Sequence, residues 1–134
     1  MMLENPSLRI LIVEDHHDSR VVLQRLLTTQ GHVVHVAETC AAAMRIAKSS
    51  PFEIVIGDVG LPDGDGCELM RKLRHAHGVA CIALSGYDEL EHVQRAVNAG
   101  ICLHLCKPIA FQQLLDAIEQ CRPKRTLADA GTPE

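Results

Sequence analysis

The stretch Ile10-Leu11-Ile12-Val13-Glu14-Asp15 decides the fold. Four consecutive branched apolar residues, with nothing polar among them, suit a strand buried on both faces. Two carboxylates follow at once, so the strand leaves the interior at an acidic edge. The pattern recurs along the chain. Residues 33–37 read as a second strand and residues 53–57 as a third, the latter followed by Asp58. Residues 79–84 read as a fourth, followed by Ser85 and Gly86. Residues 101–105 read as a fifth, with Lys107 and Pro108 just beyond.

Helical patterns fill the gaps. Residues 18–30 place Val22, Leu23, Leu26 and Leu27 on one stripe, and Gly31 is a natural C-terminal stop. Thr39 can N-cap a helix carrying Ala42, Ala43, Ile46 and Ala47, and Pro51 ends that unit. Residues 61–66 are turn-forming throughout and read as a loop. A helix then runs to about His75 with Leu69, Met70 and Leu73 inward. Residues 88–99 form another helix, stopped by Gly100, and residues 111–121 form the last. Regular alternation of strand and helix implies an α/β fold: a doubly wound, five-stranded parallel sheet with helices on both faces. In such sheets, sites lie at the carboxyl ends of the strands.

The chain has 134 residues, the size of one domain. Hydrophobic residues make up 47% of it, too many for a disordered chain. Aromatics are only 2% (Phe52, Tyr87 and Phe111), so the core must be aliphatic and a base-stacking platform is excluded. A net charge of −4 argues against a polyanion binder. No apolar run approaches the ~20 residues of a membrane span, and the N-terminus lacks a signal pattern. The expectation is a soluble, cytoplasmic protein without nucleic-acid binding or membrane insertion. The six cysteines show no C-x-x-C pair and are expected to be small hydrophobes kept reduced.

Glu14, Asp15, Asp58, Ser85 and Lys107 all follow strands and therefore gather on one edge of the sheet. Singly, each has a plainer explanation: turn chemistry for Asp58 and Ser85, a helix start for Glu14-Asp15, a surface lysine for Lys107. Together they suit one chemistry. Three carboxylates repel one another, and a hard cation such as magnesium relieves the repulsion through oxygen ligands. A carboxylate held there can attack phosphorus and become an acyl phosphate. The transferring group carries charge on three equatorial oxygens, which the metal, the Lys107 ammonium and the Ser85 hydroxyl can share.

The stretches ILIVEDHHDSR, IVIGDVGLPDGDG and IALSGY, with the Lys107-Pro108 pair, resemble the receiver domain of bacterial response regulators of two-component signalling. The resemblance covers about residues 8–121, leaving 1–7 and 122–134 as flexible tails. It implies a flavodoxin-like sheet of order 2-1-3-4-5. It implies that Asp58 takes a phosphoryl group from a sensor histidine kinase or a histidine phosphotransfer protein. Asp15, Asp58 and the backbone carbonyl of Gly60 would hold Mg2+, with Glu14 acting through water. Ser85 and Lys107 would contact the phosphoryl group, and Pro108 would follow a cis peptide. Such a domain catalyses its own phosphorylation and dephosphorylation and no other reaction. LSGY with LHLCKP looks most like receivers attached to hybrid histidine kinases.

Two positions depart from the family pattern. Gly86 stands where alanine is frequent. His104 stands where a Tyr or Phe usually serves as a switch. With only Cys102 and Cys106 beside it, His104 is expected to stay partly exposed and to swing little. Output is then expected to depend on the loop after Ser85 and the helix over 88–99. Removal of Lys107 is expected to cost signalling more than stability. A flavodoxin-type electron carrier is disfavoured, since the first loop, Glu14 to Asp18, lacks phosphate-cradling donors. A haloacid-dehalogenase-type phosphatase needs a second Asp where Gly60 stands. Zinc on Cys102, His104 and Cys106 would ask one short strand to wrap a tetrahedron. His16 and His17 read as loop residues.

Overall fold

The computed structural model describes residues 6–86 and 100–123. Tyr87, the helix expected over 88–99 and the chain ends at 1–5 and 124–134 lie outside the described residues. The elements are β1 (Arg9–Val13), α1 (His17–Thr29), β2 (Val33–Ala37), α2 (Cys40–Ser49), β3 (Ile54–Asp58), α3 (Gly66–His77), β4 (Ala80–Ser85), β5 (Leu103–Cys106) and a C-terminal helix (Phe111–Cys121). The five strands form one parallel sheet of order β2-β1-β3-β4-β5, as expected.

Each strand feeds two cores because successive side chains point to opposite faces. Ile10, Ile12, Ile54, Ile56, Ile82 and Leu84 pack with α1 and the C-terminal helix through Leu27, Leu114 and Ile118. Leu11, Val13, Val55, Cys81 and Ala83 pack with α2 and α3 through Ala43, Ala47, Met70 and Leu73. Full burial of each large aliphatic side chain stabilises the fold by roughly 2 kcal/mol. One expected inward residue does not pack: Val22 is 61% exposed, while Leu23 and Leu26 are partly covered and Leu27 is fully buried. The stripe is narrower than the run of apolar residues.

The caps explain where helices begin. The Thr39 hydroxyl accepts from the Ala42 amide, as expected. Asp65 accepts from the Cys67 amide and starts α3. Asp63 accepts from the Cys40 and Ala41 amides at 2.8 and 3.1 Å, and those bonds hold its carboxyl below the usual range. The loop expected over 61–66 contains a small antiparallel ladder, Gly60–Leu61 against Gly64–Asp65. Arg122 donates to the Pro6 carbonyl at 2.7 Å and pairs with Glu119, so the chain stays attached just past the last helix.

The expectation that all six cysteines are reduced is corrected at two of them. Cys102 and Cys121 form a disulfide, with Cα atoms 6.0 Å apart. The cause is the crossover itself. A helix that runs back along a parallel strand returns its last residue to the start of that strand. Cys102 lies one residue before β5, and Cys121 ends the helix that follows. Cys40, Cys67, Cys81 and Cys106 remain thiols. Burial pushes the Cys81 thiol up to about 12, which keeps it inert. Alkylation of protein unfolded without reductant should therefore modify four cysteines, and dithiothreitol should raise the number to six and lower Tm. Six reactive thiols before reduction would contradict the bond.

Among the described residues, no helix is long and apolar enough to cross a membrane.

Candidate functional site

The site forms where β1, β3, β4 and β5 end together. Asp58 and Ser85 are the last residues of their strands rather than the first residues beyond them. Ladder pairing Asp58↔Leu84 and Ser85↔Cys106 locks both backbones in the sheet. Their side chains are thus anchored on paired strand backbone.

Glu14 follows β1 and is fully buried. Its Oε2 accepts from the His16 amide at 3.0 Å, and its Oε1 accepts from Lys107 Nζ at 3.0 Å. Asp15 is exposed at the rim. Asp58 is 8% exposed, and its Oδ2 accepts from Lys107 Nζ at 2.9 Å. One ammonium therefore bridges two carboxylates. Burial pushes the Asp58 carboxyl up to about 6; the Lys107 ammonium pulls the other way, and Glu14 adds to the rise. Burial alone would lower the Lys107 ammonium, but its bonds to Asp58 and Glu14 outweigh that and hold it raised.

The donor set fits a hard divalent cation. Carboxylate oxygens of Glu14, Asp15 and Asp58 lie within 4.8 Å of one another. One lysine cannot offset three carboxylates, and oxygen-only donors with an exposed rim suit magnesium, which keeps several waters. Gly60 is exposed two residues beyond Asp58, in the first strand of the small ladder.

Ser85 is fully buried, and its Oγ is hydrogen-bonded to Nε2 of His104. The expectation for His104 is corrected here. The ring is half-buried, but it is already turned to Ser85 rather than held on the outer face. The partner comes from the neighbouring strand. Register pairs Ala83 with His104, so Ala83, Ser85 and His104 share one face of the sheet. The three-residue zinc reading also fails, because Cys102 is committed to Cys121. Gly86 is half-buried beyond β4, and the Lys107–Pro108 peptide is cis. His16, expected as a plain loop residue, caps α1 by accepting from the Ser19 amide.

Two contributors escaped the sequence reading. Arg20, on α1, donates to the carbonyls of Glu14 and Asp15 at 3.1 and 3.4 Å and so shapes the acidic loop. Nothing in the sequence distinguishes it from other helix arginines. Gly66 lets α3 begin against the backbone of Asp58 and Val59; a Cβ there would stand 1.8 Å from the Asp58 carbonyl oxygen. The dense run of glycines around it was a signal, but a turn explained them all. Beside the site, an open groove of about 520 Å³ separates α1 from the turn at Lys107, Pro108 and Ile109.

Comparison with known proteins places this geometry among relatives. The family model described as response regulator receiver domain matches residues 10–119. The transcriptional regulatory protein CusR of Escherichia coli K12 is 32% identical over 109 residues, covering 81% of this chain and 48% of CusR. The sensor protein EvgS of Escherichia coli O157:H7 is 32% identical over 115 residues, covering 85% of this chain and 10% of EvgS. The chain thus spans about half the length, or less, of these curated relatives. A CheY-like response regulator receiver domain protein from Methanospirillum hungatei JF-1 superposes with a TM-score of 0.81 at 29% identity, covering 86% of this chain and 93% of that one.

Proposed function

Because the chain belongs to the response regulator receiver domain family, we propose that Asp58 accepts a phosphoryl group from the phosphohistidine of a sensor histidine kinase or a histidine phosphotransfer protein. The observation that carries this reading is the Lys107 ammonium bridging Asp58 and Glu14 at the end of the sheet. An Asp58 carboxylate oxygen attacks phosphorus, and the phosphorus–nitrogen bond of the donor breaks. The electron pair leaves with the donor imidazole, and an acyl phosphate remains on Asp58. Lys107 offsets charge on one phosphoryl oxygen, and the Ser85 hydroxyl donates to another. Asp15, Asp58 and the Gly60 carbonyl would hold Mg2+, with Glu14 in its outer shell. The bound ion would supply positive charge to the phosphoryl oxygens.

The groove between α1 and the Lys107 turn opens onto this site and offers the exposed Val22, a suitable landing for a donor protein. Reaction beyond self-phosphorylation and hydrolysis of the acyl phosphate to inorganic phosphate is not expected, since no second acid stands where Gly60 lies. Relatives include both a transcriptional regulatory protein and a sensor protein, and attachment to either kind of partner domain suits a receiver.

Incubation with acetyl phosphate and magnesium, followed by borohydride reduction and peptide mapping, should place the label on Asp58. Excess chelator should stop labelling, and Asp58→Asn should abolish it. Label on another residue, or full labelling in chelator, would overturn the reading.

A further inference from the structure

The bond between Ser85 and His104 sets a constraint on protons. A serine hydroxyl has one hydrogen to donate. A phosphoryl oxygen only accepts. In the role just proposed for it, Ser85 must give that hydrogen to the phosphoryl group. The same hydroxyl is bonded to Nε2 of His104, and Ser85 is fully buried in this state, so the phosphoryl group would have to share the hydroxyl with that ring. If Nε2 carries no hydrogen, it takes the Ser85 proton and competes with the phosphoryl group. If Nε2 carries a hydrogen, it donates to the Ser85 oxygen and frees the hydroxyl hydrogen.

We propose that His104 is a positioning residue for phosphoryl transfer: with its proton on Nε2, it donates to Ser85 Oγ and aims the Ser85 hydroxyl at the phosphoryl oxygen. The inference rests on the phosphoacceptor reading of Asp58 and adds a residue to it. No atom is gained or lost, because the proton moves between the two ring nitrogens through solvent, or the ring enters the phosphorylated state already carrying it. The backbone supports the role. The Lys107 amide donates to the Ser85 carbonyl at 2.7 Å, so Ser85 cannot shift along the strand to find another partner. A phenyl ring at residue 104 has no such hydrogen to give.

Two measurements test this. In long-range 15N spectra, assigned by loss of the signal in His104→Gln, the beryllofluoride–magnesium complex of the wild-type chain should show a protonated Nε2 on His104. The second is a cycle read as the rate of labelling of Asp58 by acetyl phosphate. His104→Phe should slow labelling about tenfold, the worth of one hydrogen bond. His104→Gln, whose amide can donate, should recover most of that loss. In a Ser85→Ala background, His104→Phe should have no further effect. An unprotonated Nε2 in the complex, or an equal loss from His104→Phe with and without Ser85, would overturn the proposal. Failure of wild-type labelling at Asp58 would instead overturn the phosphoacceptor reading, so the two failures are distinct.

Discussion

Replacing Gly66 with alanine is expected to lower stability by about 3 kcal/mol, beyond the usual cost of an added methyl, and to remove phosphoryl uptake with it. The new Cβ would stand 1.8 Å from the Asp58 carbonyl oxygen, 2.8 Å from its carbonyl carbon and 2.9 Å from Val59 Cα. All three are backbone atoms, and the Gly66 amide also donates to the Val59 carbonyl at 2.9 Å. No side chain can rotate away. Either α3 lifts off the sheet or β3 moves at the residue that carries the acceptor carboxylate. Gly64→Ala is the control, since its Cβ would meet only the Cys40 sulfur at 3.3 Å, the end of a side chain. Thermal unfolding should show a fall in Tm of roughly 10 °C for Gly66→Ala and a small one for Gly64→Ala. Equal Tm values for Gly66→Ala and the unaltered chain would show that the helix start can retreat without strain.

This contact shows where sequence reading stops. The strands were legible because a sheet covered on both faces demands apolar runs such as Ile10 to Val13 and Ile54 to Ile56, which few other contexts tolerate. The strand-end residues were legible because parallel strands all end their carboxyl sides on one edge, so Glu14, Asp58, Ser85 and Lys107 had to be neighbours. What pairs with what across that edge depends on side-chain reach and burial, which periodicity does not encode. The His104–Ser85 bond needed the register of β4 against β5. The Cys102–Cys121 bond needed the return of the C-terminal helix to the start of β5. The closeness of Gly66 to Asp58 needed the path of the intervening ladder. Each is a contact between elements, and each is invisible in the pattern of either element alone.

Lys107→Met is expected to cost both function and fold, which revises the expectation that removing the lysine costs signalling more than stability. The Lys107 ammonium bonds a fully buried carboxylate, Glu14, besides Asp58. Removing one partner of a buried pair leaves an uncompensated charge and costs about 3–5 kcal/mol. The Lys107 side chain is 32% exposed, so water screens part of this and about 2 kcal/mol is the better expectation near neutral pH. The loss should depend on pH in a definite direction. Asp58 titrates at about 6 in the folded chain against 3.8 for the ordinary carboxyl. Between those values the folded state holds more protons than the unfolded one, so stability falls as pH rises through that window. Lys107 pulls Asp58 down, so its removal extends the window upward. The variant should therefore be most destabilised above about pH 7 and least near pH 5, where Asp58 can bind a proton. Magnesium should restore part of the loss by supplying the missing positive charge. Labelling of Asp58 by acetyl phosphate should fall about 100-fold even where the variant is folded, since a charge on the transferring group is left without its partner. Urea unfolding at several pH values, with and without magnesium, checks the first part. Wild-type stability at every pH would show that Glu14 is held without the lysine. Stability lost equally at every pH would show that Lys107 acts through packing of its stem rather than through charge.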